Sequence, residues 1–127
     1  MREEVKNLFE QADRDLVSAK NCFLSKDYYV SAFLCQQAVE KALKGFFIIK
    51  KSKSAGPTHS LIFLASESGL PKSFYGFLGS LTPEFITTRY PDVAGDAPYK
   101  LYDAEKVKDY LTKTLGVLGW IKRHIKK

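Results

Sequence analysis

Asp27–Lys50, which reads DYYVSAFLCQQAVEKALKGFFIIK, decides the fold. This stretch contains no proline, and its apolar or small residues recur in steps of three or four, as they do along one side of an α-helix. They are Ala32, Cys35, Val39, Ala42, Phe46 and Ile49. A second apolar line runs beside the first through Tyr29, Phe33, Leu43 and Phe47. Because a surface helix needs only one apolar stripe, the sequence predicts a central helix with neighbours on several sides.

Long helices are predicted before and after this stretch. Apolar residues from Arg2 to Leu24 again step by three or four. The short connection to Asp27, a candidate N-cap, implies that the first helix lies antiparallel to the central one. The last helix is predicted from about Asp103, a second candidate N-cap, to Ile125. Gly116 and Gly119 are poor helix formers, so we expect them to allow another helix to approach closely.

The region between the central and last helices is less regular. A short helix, opened by Thr58 or His59, is predicted over about 60–68 and is closed by Gly69 in the position of a C′ glycine. A further helical stretch covers about 73–88, where Pro83 starts a new turn or kinks the helix. Residues 89–102, RYPDVAGDAPYKLY, form the one long irregular stretch. Loops of this length in compact domains are usually functional or mobile.

No segment alternates with period two over a convincing length. The predicted fold class is therefore all-α, an up-and-down helical bundle of four to five helices. The chain is expected to form one domain over residues 1–127. Every apolar run is far shorter than the roughly 20 residues of a membrane span, and the first residues lack the apolar region of a signal peptide. We therefore expect a cytoplasmic protein that does not enter the membrane.

Charge and motif content restrict the partners. The formal net charge of +6 favours polyanions such as RNA, DNA or nucleotides. Cys22 and Cys35 are the only cysteines and are predicted to be buried free thiols. The sequence has no zinc-ligand spacing, no paired Glu-x-x-His motif, no Walker A motif and no G-x-S-x-G. We therefore expect no metal and no cofactor.

The polar residues of the central helix allow two interpretations. They are Gln37, Glu40, Lys41 and Lys44. One interpretation is a solvated face on which Glu40 and Lys44 form an i,i+4 pair. The other is a polar wall beside the loop that starts at Arg89. The tyrosines of that loop, at positions 90, 99 and 102, are predicted to be packing residues, with stacking of a base as the alternative.

Arg89 begins the sequence Arg-Tyr-Pro-Asp, in which Pro91 favours an extended conformation of Tyr90. This arrangement would hold Arg89 in a defined relation to Asp92. An arginine held in this way suits planar recognition of phosphate. The alternative is a salt bridge to Asp92 or a helix C-cap that only shapes the loop. His59 is predicted to be a helix-start residue, with a role as ligand or base as the alternative.

Several runs of the sequence together resemble the HEPN domain family, as seen in small stand-alone prokaryotic HEPN proteins. These runs are SAFLCQQAVEKALKG, THSLIFL, TRYPD, YDAEKV and GWI, which follow an amphipathic first helix. The resemblance covers about residues 5 to 125. It implies a helical up-and-down bundle that commonly forms homodimers. It also implies frequent association with a minimal nucleotidyltransferase protein, often as a toxin–antitoxin-like pair.

The resemblance also implies an endoribonuclease motif that this chain departs from. Many HEPN domains cleave RNA without metal through an arginine followed, after four to six residues, by a histidine. The arginine binds the scissile phosphate and the histidine handles the 2′-hydroxyl proton. After Arg89 these positions hold Ala94, Gly95 and Asp96, and no other arginine has a histidine at this spacing. We therefore expect the phosphate-binding half of the motif without its catalytic half.

These observations predict a non-catalytic HEPN binding module that associates with a nucleotidyltransferase partner, binds nucleotide or RNA phosphate, or does both. The predicted phosphate- or nucleotide-binding residues are Arg89, Tyr90, Asp92, Lys41 and Lys44. The alternative from another class is a metal-independent endoribonuclease of toxin–antitoxin type, in which His59 is a displaced base. A third hypothesis is a structural dimerisation domain without a ligand.

Overall fold

The structure is a computed structural model, and it describes residues 1–125 of the chain. Its α-helices are α1 (Glu3–Leu24), α2 (Tyr28–Lys51), α3 (Leu61–Ser68), α4 (Tyr75–Leu81), α5 (Glu84–Thr87), α6 (Pro91–Ala94) and α7 (Ala104–His124). Turns of 3₁₀ helix cover Lys72–Phe74 and Pro98–Leu101. The described residues contain no strand. The predicted all-α bundle is therefore confirmed, with more and shorter segments than the four to five helices expected.

The first two helices form an antiparallel pair joined by a short connection. Contacts between them run in opposite directions along the two helices. Phe9, near the start of α1, meets Gly45, near the end of α2. Ser31, near the start of α2, donates its hydroxyl hydrogen to the Ala19 carbonyl oxygen at 2.7 Å. This pairing is the arrangement that the short connection predicted.

The prediction of close helix approach at the two glycines of α7 is wrong. Among residues 1–125, nothing lies within 4 Å of a Cβ built at Gly116, and at Gly119 only the side chain of Arg123 comes that close. The close approach is found at Gly45 instead, where a Cβ would lie 3.1 Å from the Phe9 ring. An alanine there would require the Phe9 ring to shift by a few tenths of an ångström, so Gly45 marks the tight contact between α1 and α2.

The central helix predicted from the sequence is α2. Besides α1, it packs against α3, α5 and α7. Side chains on nearly all of its sides are buried, including polar ones. The buried residues are Ser31, Ala32, Cys35, Gln36, Ala38, Val39, Glu40, Ala42, Leu43, Gly45, Phe46, Phe47 and Ile48. Since burying one large apolar side chain is worth about 1.5–3 kcal/mol, this helix supplies much of the hydrophobic stabilisation.

Helix caps explain where several segments begin and end. As predicted, Asp103 caps α7 by accepting a backbone N–H of the first turn at 2.9 Å, and Gly69 ends α3 with a φ of +86°. Ser60, not His59, is the N-cap of α3. Asp27 stands at the N-cap of α2, but its carboxylate makes no capping hydrogen bond. The Asp27 side chain therefore does not act as the N-cap that its position suggested.

The region between α3 and α7 is more segmented and more helical than expected. The stretch predicted as one helix over 73–88 is a 3₁₀ turn followed by α4 and α5, and Pro83 does start the new turn as the N-cap of α5. The stretch predicted to be irregular contains α6 and a 3₁₀ turn. Pro91 and Pro98 stand at the first positions of these two segments, where the fixed φ of proline favours a helical turn.

Both cysteines are free thiols, as predicted. Cys35 is fully buried, and burial raises the pKa of its thiol to about 12. Cys22 is only partly buried, which corrects the expectation for that residue. None of the helices in residues 1–125 has the length and apolar character needed to cross a membrane.

Candidate functional site

A cleft of about 530 Å³ opens where the α1–α2 connection faces the end of α5 and the Pro98–Leu101 turn. Its lining residues are Lys26, Asp27, Tyr28, Tyr29, Thr88, Arg89, Pro98 and Tyr99. A volume of this size falls within the roughly 300–1,000 Å³ that small-molecule sites occupy. We call it the Arg89 cleft, after the lining residue that the sequence had singled out for phosphate binding.

Arg89 lies at the end of α5, and only part of its guanidinium is engaged. Its Nε donates to the Phe85 carbonyl oxygen at 2.6 Å. Its guanidinium carbon stands 5.3 Å from the ring centroids of both Phe33 and Tyr90. Within residues 1–125 it forms no ion pair. The two Nη groups are therefore available to a planar anionic group such as phosphate.

The contacts of Arg89 test the two structural roles considered for it, a salt bridge to Asp92 and a helix C-cap. The salt bridge to Asp92 is not formed in the described part of the chain. The C-cap interpretation is confirmed, because Phe85 belongs to α5 and its carbonyl oxygen accepts the Nε hydrogen. Capping fixes one edge of the guanidinium and leaves the other edge for a ligand. The two roles are therefore compatible.

Aromatic side chains and one further cation complete the cleft. Tyr28 and Tyr29 are half-buried at the start of α2, whereas Tyr99 is 63% exposed on the 3₁₀ turn. Tyr99 is thus not a packing residue, and its ring is accessible for stacking of a base. Lys26 adds a second positive charge to that of the arginine, and Asp27 contributes one negative charge. The lining therefore combines a net positive charge with aromatic surface.

The other predicted site residues lie at different distances from the cleft. Tyr90 is half-exposed and stands beside the Arg89 guanidinium. Asp92 is exposed in the first turn of α6. The structure does not bring Lys41 and Lys44 into the cleft lining. Of the five residues predicted to form the site, only Arg89 lines the cleft.

Both lysines are held by acidic residues instead. Lys41 Nζ lies 2.7 Å from an Asp15 carboxylate oxygen on α1. Lys44 Nζ lies 3.0 Å from a Glu40 carboxylate oxygen, which confirms the predicted i,i+4 pair. The interpretation of a solvated face is wrong for Glu40, which is only 8% exposed, and the side chains of Lys41 and Lys44 are only about a quarter exposed, at 27% and 24%.

Glu40 is the buried centre of a network of polar side chains. Its carboxylate accepts from Gln36 Nε2 at 2.7 Å and from His59 Nδ1 at 3.0 Å, besides its ion pair with Lys44. Because an ionised carboxylate can only accept, Nδ1 of His59 carries the hydrogen. Burial alone would raise the pKa of Glu40, but the hydrogen bonds from His59, Lys44 and Gln36 outweigh it and lower the pKa below its ordinary value. The network therefore stabilises the ionised carboxylate.

This lowered pKa predicts a dependence of stability on pH. A carboxyl group with a lowered pKa in the folded state contributes stability above its unfolded pKa, here near 4.5, and that stability is lost as the pH falls through the folded value. We expect Glu40→Gln to lower the free energy of unfolding by about 1–3 kcal/mol at pH 7. The deficit relative to the parent should shrink as the pH falls below 4.5.

Urea unfolding of the parent and the variant at pH 7 and pH 3.5 measures this difference. Asp109→Asn is a matched control, because Asp109 forms an exposed i,i+4 pair with Lys113 at 3.1 Å. Exposed pairs of this kind contribute at most about 1 kcal/mol. A deficit of Glu40→Gln that is the same at both pH values would contradict the assigned pKa.

His59 contacts the same phenylalanine as Arg89 but lies outside the cleft lining. The imidazole stacks on the Phe85 ring with centroids 4.2 Å apart. The contact of His59 with Glu40 and that of Arg89 with Phe33 are seven residues apart on α2, which corresponds to about 10 Å along the helix axis. Phe85 contacts His59 through its ring and Arg89 through its carbonyl oxygen.

A buried carboxylate connects two walls of the Arg89 cleft. Glu84, in α5, is 4% exposed and accepts from the hydroxyl groups of Tyr102 and Tyr110, the latter at 2.6 Å. Tyr102 directly follows the 3₁₀ turn that carries Tyr99, and Tyr110 belongs to α7. The carboxylate, at the first residue of α5, therefore ties this short helix, which Arg89 follows, to that turn.

The two tyrosines are suited to this role as donors. Burial, and then the hydrogen bond to Glu84, raises the pKa of both hydroxyl groups, so both stay protonated in the ordinary pH range. Lys106 Nζ lies 4.7 Å from the Tyr102 ring centroid and 6.0 Å from that of Tyr110. These distances are typical of cation–π contacts between the lysine and the two rings.

Comparisons with known proteins agree with this architecture. The sequence profile of the HEPN domain matches residues 5–124. The structure is similar to TT1696 from Thermus thermophilus, with a TM-score of 0.85 and 26% sequence identity over 96% of this chain and 98% of that chain. It is also similar to ST0689, described as an archaeal HEPN homologue, with a TM-score of 0.82 and 30% identity over 99% of this chain and 100% of that chain. No curated protein matches the sequence.

Proposed function

Because the chain belongs to the HEPN domain family, we propose that it is a non-catalytic binding module whose Arg89 cleft holds the phosphate of a nucleotide or of RNA. The observation that carries this proposal is the composition of the cleft. It combines an arginine with free Nη groups, the cation of Lys26 and the exposed ring of Tyr99 in about 530 Å³. Phosphate recognition by an arginine fork and stacking of a base on an aromatic ring need this combination.

The chemistry of the cleft favours a ribonucleotide. Asp27 is the one acidic residue of the lining, and its carboxylate makes no capping hydrogen bond. A carboxylate would repel a phosphate placed against it, but it accepts hydrogen bonds from the hydroxyl groups of a ribose. The 2′-hydroxyl is the group by which a protein distinguishes RNA from DNA at a given site. We therefore propose RNA or a ribonucleotide as the ligand class.

The alternative of an endoribonuclease has less support. A general base must reach its proton directly or through one water. His59 is bound to Glu40 and stacked on Phe85, about 10 Å along α2 from the side chain that Arg89 covers. Nothing in residues 1–125 supplies another histidine beside Arg89, since His124 bonds to the Trp120 carbonyl oxygen at the end of α7. The proposal is therefore binding without cleavage.

Family membership supports two further parts of the proposal. We propose that the protein forms a homodimer and associates with a minimal nucleotidyltransferase protein, as the HEPN resemblance implies. Analytical ultracentrifugation at micromolar concentration tests the first part, and a monomer would contradict it. Purification of the tagged protein from its own host, with identification of co-purifying proteins, tests the second part. Cytoplasmic location is part of the same proposal.

The binding proposal is tested by titration with single-stranded RNA, DNA of the same sequence, and ATP, each at 50 mM and 200 mM salt. We expect RNA or ATP to bind and DNA to bind more weakly. RNA affinity should fall with salt, with a slope of about 0.7 for each phosphate contacted. Absence of binding to all three probes at 50 mM salt would contradict the proposal and favour a dimerisation domain without a ligand. Equal affinities for RNA and DNA would contradict the assignment of Asp27.

A further inference from the structure

Lys26 has a backbone conformation that is unusual for a lysine. Helix α1 ends in a Schellman turn, in which the Asp27 N–H donates to the Cys22 carbonyl oxygen at 2.8 Å and the Lys26 N–H donates to the Phe23 carbonyl oxygen at 3.1 Å. In this turn Lys26 has a φ of 69°. The position is usually occupied by glycine, because a Cβ is unfavourable in the left-handed region. Lysine therefore costs stability here.

The helix dipole explains why a lysine is favourable near the end of α1, but it does not explain why the lysine stands at position 26. A cation near a helix C-terminus is favoured by the helix dipole. Ser25, the preceding residue, is the C-cap of α1 and has an ordinary φ of −86°. A lysine at position 25 would gain the same interaction without backbone strain. What distinguishes Lys26 is that it is a lining residue of the Arg89 cleft and that its side chain has no ion pair within residues 1–125.

We infer that Lys26 is a second phosphate-binding residue, which occupies a strained position at a cost to stability because this position lies at the cleft. This inference rests on the proposed function. Arg89 comes from the end of α5 and Lys26 from the α1–α2 connection, so the two cations approach a ligand from different elements. The guanidinium fork fixes the orientation of one phosphate, and the ammonium adds a point charge with three donors. The shared chemistry is the phosphate oxygen, in RNA or in a free nucleotide.

The chain provides a matched control for backbone strain. Ser52, at the end of α2, is the other residue besides glycine with a positive φ among those described, at 61°. It lies outside the cleft lining, and its hydrogen bonds to Ile48 and from Arg2 use main-chain atoms that glycine keeps. Ser52→Gly therefore relieves a similar strain without changing the charge of the protein or the cleft.

The experiment compares three variants with the parent in thermal unfolding and in titration with ATP and single-stranded RNA. Lys26→Gly and Ser52→Gly should each raise Tm by about 2–5 °C, because the strain is removed. Lys26→Gly and Lys26→Gln should both bind about fivefold more weakly than the parent. For RNA, both Lys26 variants should also lower the salt slope by about 0.7. Ser52→Gly should bind as the parent does.

The outcomes separate this inference from the proposed function. If the parent binds, Arg89→Ala loses binding and both Lys26 variants bind as the parent does, the inference is wrong and the proposed function stands. If the parent binds none of the probes, the proposed function is wrong, and the inference that rests on it is wrong as well. If Lys26→Gly does not raise Tm while Ser52→Gly does, the claim that Lys26 is kept at a cost is wrong. If the Lys26 variants lose affinity for ATP and keep their affinity for RNA, the phosphate that Lys26 binds belongs to a free nucleotide. If they lose affinity for RNA and keep their affinity for ATP, it belongs to RNA.

Discussion

Replacing Phe46 with alanine is expected to lower the free energy of unfolding by about 3–5 kcal/mol. Phe46 is fully buried on α2 and meets the edge of the Trp120 ring at a centroid distance of 5.8 Å. Lys50 Nζ also stands 5.2 Å from its ring centroid. The cavity left by the ring lies where α2 meets α7, and neither helix can close it without moving the other. Urea denaturation monitored by circular dichroism measures the loss.

Phe63→Ala is the matched control for this substitution. Phe63 is 43% exposed on α3, with its ring centroid 6.2 Å from that of Phe47. Phe63→Ala should lower the free energy of unfolding by less than half as much as Phe46→Ala does, because much of the Phe63 ring is already in contact with water. Equal losses for the two variants would contradict the assignment of α2 as the buried centre of the bundle.

The second large effect is expected at the buried carboxylate of Glu84. The double variant Tyr102→Phe/Tyr110→Phe removes both hydroxyl donors and leaves a buried charge without hydrogen bonds. Since hydrogen bonds to a charged group contribute about 1.5–3 kcal/mol each, we expect a loss of about 3–5 kcal/mol in the free energy of unfolding. The same variant should weaken ligand binding, because Glu84 connects α5 to the turn that carries Tyr99.

Two further variants check this explanation. Adding Glu84→Leu to the double variant removes the unpaired charge and should recover most of the lost stability. Tyr75→Phe serves as the control, because the Tyr75 hydroxyl has no hydrogen-bond partner among the side-chain contacts of the described residues. If the triple variant is as unstable as the double variant, the loss arises from packing and not from the uncompensated carboxylate.

The sequence was sufficient to predict the helical framework, because its signal is periodic and local. The spacing of Ala32, Cys35, Val39 and Ala42 is enough to define a buried side of α2, whatever covers it. Caps such as Asp103 depend on neighbours only three residues away. Long-range packing was not predictable in the same way. The close approach at Gly45 depends on the Phe9 ring in another helix, and nothing near Gly45 in the sequence indicates it.

The candidate site could be predicted from the sequence only where a local motif marks it, and its binding role stays a prediction. Arg89 stands in Arg-Tyr-Pro-Asp, and the structure gives it a cleft. Glu84 was missed because its donors are 18 and 26 residues away. Lys26 was missed because Ser-Lys-Asp contains no glycine that would indicate a left-handed residue. Lys41 was placed at the site because its acidic partner, Asp15, lies 26 residues away on α1. For Lys44, the pair with Glu40 was visible in the sequence, but its position outside the cleft lining was not.

The central claim is that Arg89 binds the phosphate of the ligand, and one comparison tests it most directly. Arg89→Ala and Arg14→Ala carry the same change of charge, but Arg14 is exposed on α1 and outside the cleft lining. Fluorescence titration with labelled single-stranded RNA and competition by ATP should show a loss of at least about tenfold for Arg89→Ala, which corresponds to about 1.4 kcal/mol, and near-parent affinity for Arg14→Ala. Equal affinities of the two variants would contradict the claim.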